Sequence, residues 1–220
     1  EGQILSSALY ARQRYPLRTY DGFFIGTKDF AWLLGFFVAE GWADGRRRVE
    51  ISNTNVDLLE RARNIFSENF HRTPTLVTAD KTPRIASRNP KISYYLRKTC
   101  YTTDGKKRVP LSILNAPKDI KIAFLEGYFE GDGSIDNRRY FNFQMATTDS
   151  QVLATGLQWI MKTTLGRSST VYIRDDKPNV VQLYFNRGHG KGAEKRMKNK
   201  SQVKKIRYLE YSGYVYDCLL

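Results

Sequence analysis

Two carboxylates are placed to do chemistry together. Glu40 ends an apolar run and is followed by Gly41; Asp132 ends a second run and is followed by Gly133. The acids stand 92 residues apart, and the same offset maps Trp32 onto Phe124, Gly35 onto Gly127, Val49 onto Phe141 and Ile51 onto Phe143. The chain reads as two copies of one unit. Two carboxylates brought to one place repel each other, and a divalent cation relieves that repulsion. Mg2+ takes carboxylates together with substrate phosphates. The paired acids therefore point to divalent-cation binding at a phosphate-bearing substrate.

The elements that position these acids can be read from the same runs. Residues 30–39 are almost unbroken apolar, long enough for a buried helix and too long for a typical strand. Gly35 and Ala39 lie four apart in the first run, as do Gly127 and Gly131 in the second. Residues at i and i+4 share a helix face, and small residues there let two backbones approach closely. These four residues predict a seam between two helices, with Glu40 and Asp132 at its foot. The glycine after each acid suits a left-handed C-cap. A carboxylate at a helix C-terminus is disfavoured by the dipole and needs another reason to be there.

Composition narrows the partner. Lys plus Arg is 36 against 22 Asp plus Glu, a formal net charge of +14 over 220 residues. That balance favours a polyanion, nucleic acid ahead of membrane. Two cysteines and two histidines build neither a disulfide framework nor a zinc site. No signal peptide or spanning segment is seen, so an intracellular location, cytoplasmic or organellar, is expected. Glu1 stands where methionine would open a chain, which suggests processing or excision from something longer.

In chain order, residues 1–27 form an arm in which Tyr10, Arg12, Arg14, Tyr15, Arg18 and Tyr20 interleave aromatic and basic groups, with a short helix possible at 6–15. Asp29 is a candidate cap for the first long helix. Residues 46–53 alternate as a strand, with Val49 and Ile51 inward and Arg46, Arg48, Glu50 and Ser52 outward. Residues 56–70 have helical spacing, with Asn55 or Asp57 as cap. Strands are expected at 75–78 and 92–98. Lys106, Lys107 and Arg108 follow the Asp104-Gly105 turn as a charge run, as readily a solvated face as anything else.

A linker at 109–119 leads to the second unit, 120–200. There a strand at 140–146 and a helix at 150–165 ending at Gly166 repeat the order. Leu59 matches Leu153 at an offset of 94, so two residues are added between strand and helix. Strands at 170–174 and 180–185 follow, then a glycine-rich basic segment at 188–200 and an extension at 201–220. Outward positions Asn142, Gln144, Arg174 and Gln182 join those of the first half, with Lys191 beyond. Arg reads guanine edges, and Asn or Gln reads adenine, in the major groove.

Residues 33–41, LLGFFVAEG, resemble the first LAGLIDADG motif of homing endonucleases, and residues 125–133, LEGYFEGDG, resemble the second. Two motifs in one chain are similar to the monomeric, two-motif members. The resemblance covers about residues 28–200. It implies an α+β fold built as a pseudo-two-fold pair of αββαββ units, whose saddle-shaped sheets lie in the major groove. It implies metal-dependent cleavage of a long double-stranded DNA site by a monomer that acts on no small molecule. The catalytic metal ligands would be Glu40 and Asp132, with Glu40 a departure from aspartate. Mg2+ is the expected cofactor, and Ca2+ is expected to occupy the site without supporting cleavage. Lys98, after the expected strand 92–97, is similar in place to the family's central lysine in the first half. Asn53 follows the first strand where a polar residue approaches the metal-bound water. Lys177 and Lys191 are the second-half lysine candidates.

Residues 211–217, YSGYVYD, resemble the start of the C-terminal splicing block of inteins of archaeal DNA polymerases. A terminal His-Asn pair and an opening Cys or Ser nucleophile are not in the sequence, so splicing by this chain is not expected. The alternative activity is DNA binding without cleavage, or action as an RNA maturase.

Overall fold

The computed structural model describes residues 19–20, 23–24, 26–136, 142–166 and 169–186. The arm helix expected at 6–15, the segment 188–200 with Lys191, and the extension 201–220 lie outside them.

The first helix, α1 (Lys28–Glu40), follows a two-stranded pair, β1 (Thr19–Tyr20) with β2 (Phe23–Phe24). Its side chains from Phe30 to Val38 are all buried. Thr27, not Asp29, caps it: the Thr27 hydroxyl accepts from the Phe30 N–H at 3.2 Å. Asp29 instead sits in the first turn, where the helix dipole favours an acid. The chain continues through β3 (Gly41–Ala43), β4 (Arg48–Ser52) and α2 (Val56–Phe70), the last capped by Asn55. Next come β5 (Thr75–Val77), β6 (Arg84–Arg88) and α3 (Pro90–Cys100).

The expected strand at 92–98 is thus a helix. The signals are local: Asn89 caps it, Pro90 takes the first turn, where its missing N–H does no harm, and Ile92, Tyr95, Leu96 and Cys100 are buried at helical spacing. The strand in question is β6, eight residues earlier, and it is central in its sheet.

A short helix, α4 (Leu111–Leu114), occupies the connection before α5 (Lys118–Asp132). The second sheet comprises β7 (Ser134–Asp136), β8 (Asn142–Thr148), β9 (Ser169–Arg174) and β10 (Lys177–Asn186), with α6 (Gln151–Leu165) between β8 and β9. Both sheets are antiparallel. The first has the order β3-β4-β6-β5, the second β7-β8-β10-β9. These are the same order in corresponding strands.

The register corrects one sequence correspondence. Ala43 pairs with Val49 in the first hairpin, and Ile135 with Phe143 in the second. Val49 therefore corresponds to Phe143, and Ile51 to Met145. The two extra residues lie in the β7–β8 turn, not between strand and helix. A strand slipped by two keeps its inward face, so either placement satisfies the hydrophobic alternation.

Candidate functional site

The site is built on the crossing of α1 and α5. A Cβ on Gly35 would lie 2.0 Å from the carbonyl oxygen of Phe124, and one on Gly127 would lie 2.0 Å from that of Trp32. The contacts are reciprocal under the 92-residue correspondence. Only glycine permits such backbone approach, so the spacing read from sequence has its physical ground here. A Cβ on Gly131 would meet the Ala39 Cβ at 2.6 Å and the Glu40 Cγ at 2.9 Å. Gly35, Ala39, Gly127 and Gly131 are thus brought together along the crossing.

Gly41 and Gly133 do not adopt the left-handed cap expected of them. Their φ values are −89° and −79°, in extended backbone. They are small for a steric reason: a Cβ on Gly41 would lie 2.1 Å from the Phe37 ring, and one on Gly133 2.1 Å from the Phe129 ring. Each glycine turns the chain straight from helix into strand under an aromatic one turn back. Each N–H still closes the helix on that residue's carbonyl.

At the end of α1, Glu40 is half-buried, and its Oε1 accepts from the Asn53 amide at 3.1 Å. Burial, and next the nearby Asp132 charge, push its carboxyl above the usual range; Asn53 and Lys107 oppose the shift. At the end of α5, Asp132 Oδ2 accepts from the Tyr128 hydroxyl at 2.9 Å. Among the described residues no group of three or more His, Cys, Asp or Glu is gathered for a metal. Two adjacent carboxylates nonetheless suit a divalent ion that completes its shell with substrate oxygens and water.

The lysine at this site is Lys107. Its Nζ donates to the Phe37 carbonyl at 2.8 Å and to the Gly41 carbonyl at 2.6 Å. It lies over the Phe37 and Tyr101 rings, 4.2 and 4.6 Å from their centroids. Burial pushes its pKa down to about 7, aided by Arg97 and resisted by Cys100 and Glu40. Lys107 thus adds a second donor to the Phe37 carbonyl, which already accepts from the Gly41 N–H, and meets the Gly41 carbonyl at the C-terminus of α1, where the helix dipole favours a cation.

Lys98, the residue expected in this role, sits instead on α3, its ammonium 6.0 Å from the Tyr94 ring centroid and its carbonyl accepting from Arg108. The signal for Lys107 is alternation around the Asp104-Gly105 turn: Lys107 pairs with Tyr101 across it and points inward, while Lys106 pairs with Asp149.

The outward face of β4 carries Arg48, exposed, with Glu50 and Ser52 half-buried. Arg46 is exposed in the turn before the strand, not in it; the Arg46, Arg47 and Arg48 N–H groups all donate to Asp44 Oδ1. Slight burial works against Asp44's ionised form, but these donors and the Ser93 hydroxyl outweigh it and hold the carboxyl well below its ordinary range. Gln182 is half-buried on β10. Asn142, Gln144 and Arg174 have strand positions on β8 and β9; their side chains lie outside the description. Sequence reading misses Arg84 and Arg88, which stand opposite Ser52 and Arg48 across β4–β6; Arg88 extends the basic face, while Arg84 is paired with Asp80. It misses them because it does not identify β6.

Residues 119–207 match the family described as a LAGLIDADG-like domain. Among curated proteins, a DNA polymerase of Thermococcus litoralis is 32% identical over 168 residues, covering 72% of this chain and 9% of that protein. A DNA polymerase of Acanthamoeba polyphaga mimivirus is 28% identical over 205 residues, 85% of this chain and 11% of that protein. The chain thus spans about a tenth of the length of these relatives. Among solved structures, I-DmoI in complex with DNA and Mn matches with a TM-score of 0.53 and 17% identity, covering 72% of this chain and 89% of that one. The N-terminal LAGLIDADG domain of DUF199/WhiA matches with a TM-score of 0.51 and 15% identity, covering 73% and 76%.

Proposed function

We propose that this chain, which has the LAGLIDADG homing-endonuclease fold, is a site-specific endonuclease that hydrolyses both strands of a long DNA duplex with divalent metal. The observation that carries the reading is the convergence of Glu40 and Asp132 at the foot of the α1–α5 crossing, where a Cβ on Gly131, the residue before Asp132, would lie 2.9 Å from the Glu40 Cγ. One chain supplies both acids, so a monomer suffices. The first sheet carries Arg48 and Arg88 side by side on its outward face, with Arg84 paired to Asp80 on the same strand as Arg88, which suits a phosphate backbone. The proposed halves are 28–108 and 120–200, joined at 109–119.

Glu40 and Asp132 hold the metal, and Mg2+ is the proposed ion. When bound, it activates water and stabilises charge on the phosphate. Asn53 restrains Glu40 through its amide. Lys107 fixes the α1 terminus beside Glu40 by donating to the Phe37 and Gly41 carbonyls. A match to a tenth of a DNA polymerase suits an element carried within such a gene, in keeping with the intein-like residues 211–217. No helix among the described residues is long and apolar enough to cross a membrane.

The test is incubation with Mg2+ and a library of long duplex sites. Discrete cut products support the endonuclease. Specific binding without product supports a DNA-binding protein that kept the fold.

A further inference from the structure

The seam is two-fold in backbone but not in the groups that aim its acids. Glu40 is held from outside its helix, by Asn53 just past the end of β4. Asp132 is held from within its own helix, by the Tyr128 hydroxyl one turn back. At the 92-residue offset the place of Tyr128 is taken in α1 by Phe36, which has no hydroxyl and stacks on Trp32 at a centroid distance of 5.1 Å. At the strand offset of 94, the place of Asn53 is taken by Thr147, which has no amide. Neither pairing, Asn53 with Glu40 or Tyr128 with Asp132, can therefore be repeated by the same side-chain group in the other half.

Tyr128 is set for this task. Its side chain is 1% exposed, and its backbone N–H lies at the closest approach of the helices, 2.8 Å from where a Gly35 Cβ would stand. The ring is enclosed in the core. The hydroxyl acts as a donor toward the carboxylate, at 2.9 Å.

We propose that Tyr128 is the positioning residue of the second-half acid: its hydroxyl restricts the Asp132 carboxylate to one orientation and so sets how that carboxylate meets the divalent ion. The inference rests on the metal-dependent reading above. Its consequence is an unequal pair of half-sites, so the two DNA strands are cut at different rates, and the step served by Asp132 depends on Tyr128.

The test is Tyr128→Phe, which removes one oxygen and keeps the buried ring. Mn2+ binding to the full chain on a selected duplex is measured by electron paramagnetic resonance for wild type, Tyr128→Phe and Asp132→Asn. A hydrogen bond to a charged acceptor is worth roughly a tenfold change in equilibrium or more. Tyr128→Phe is therefore expected to weaken Mn2+ binding about tenfold. Melting temperature and duplex affinity in Ca2+ are expected to stay near wild type. In strand-resolved nicking, one strand slows at limiting Mg2+ and recovers as Mg2+ saturates, a response that a loosened fold would not give. Unchanged Mn2+ affinity and unchanged strand ratio in Tyr128→Phe, while Asp132→Asn has lost the ion, overturn the positioning role alone. Full Mn2+ affinity in Asp132→Asn overturns the metal reading and the inference with it.

Discussion

Gly35 of α1 faces the carbonyl of Phe124 so closely that the smallest side chain would penetrate it, at 2.0 Å. Backbone cannot yield there as a flexible side chain could. Gly35→Ala and Gly127→Ala are each expected to lower the melting temperature by roughly 5–10 °C, from overpacking of a few kcal/mol in a domain of this size. Gly131→Ala meets side-chain atoms of Ala39 and Glu40 instead. It is expected to fold and to lose cleavage, since it displaces Glu40. Thermal melts of the three variants, with cleavage of the same target, check the ranking.

Lys107 and Lys98 give a contrast within one charge class. Lys107→Met leaves the Phe37 and Gly41 carbonyls without their ammonium donor. A loss of about 1–3 kcal/mol in urea unfolding is expected, with cleavage slowed at least tenfold. Lys98→Met removes an ammonium set against the exposed Tyr94 ring and is expected to stay within about 0.5 kcal/mol of wild type, with normal cutting. The reverse ranking would return the role to Lys98.

Glu40 sets a pH dependence. Its folded carboxyl titrates above the ordinary glutamate range, first because of burial and then because of Asp132. Between the unfolded and the folded pKa, the folded state binds more protons, so stability falls as pH rises through that window. Above it the full penalty of two neighbouring carboxylates remains. Metal-free Glu40→Gln is expected to be more stable than wild type at neutral pH and to lose most of this slope. Mg2+ is expected to raise wild-type stability there and to do little for the variant. Urea midpoints measured from acid to neutral pH, with and without Mg2+, decide it.

The basic face of the first sheet predicts a salt effect. Arg48 and Arg88 stand side by side across β4–β6. Each arginine that meets a phosphate adds about 0.9 to the slope of log affinity against log salt. Arg48→Ala and Arg88→Ala are each expected to lower the slope by about one and to weaken binding evenly across sequences. A flat salt dependence for wild type would contradict the phosphate contacts.

The amino-acid sequence carries much of this architecture in plain form. The 92-residue repeat locates both acids and all four small seam residues, because close helix crossing leaves few choices of residue. The strand alternation around Val49 and Ile51 is equally legible. Helix α3 is harder, because Ile92, Tyr94 and Leu96 also alternate at period two; Asn89-Pro90 is the signal that decides for a helix. Reading a strand there carries Lys98 into the site and hides β6, with Arg84 and Arg88. Lys107 is hidden by its neighbours, since a run of three cations reads as solvated when only one of them turns inward. The two-residue insertion cannot be placed by pattern, because a shift of two leaves every inward position inward. The glycines after the acids suggest a left-handed turn, whereas their constraint comes from Phe37 and Phe129, one turn back.

The central claim is that Glu40 and Asp132 hold the ion that cleaves DNA, and the most direct measurement is strand-resolved cleavage of a selected duplex by Asp132→Asn, with binding to that duplex measured in Ca2+. Asparagine keeps the size of the side chain and removes its charge. The account predicts no double-strand product from Asp132→Asn, specific binding equal to or tighter than wild type, and at most slow nicking from Glu40→Gln. Full double-strand cutting by Asp132→Asn, or by the double variant, would contradict it.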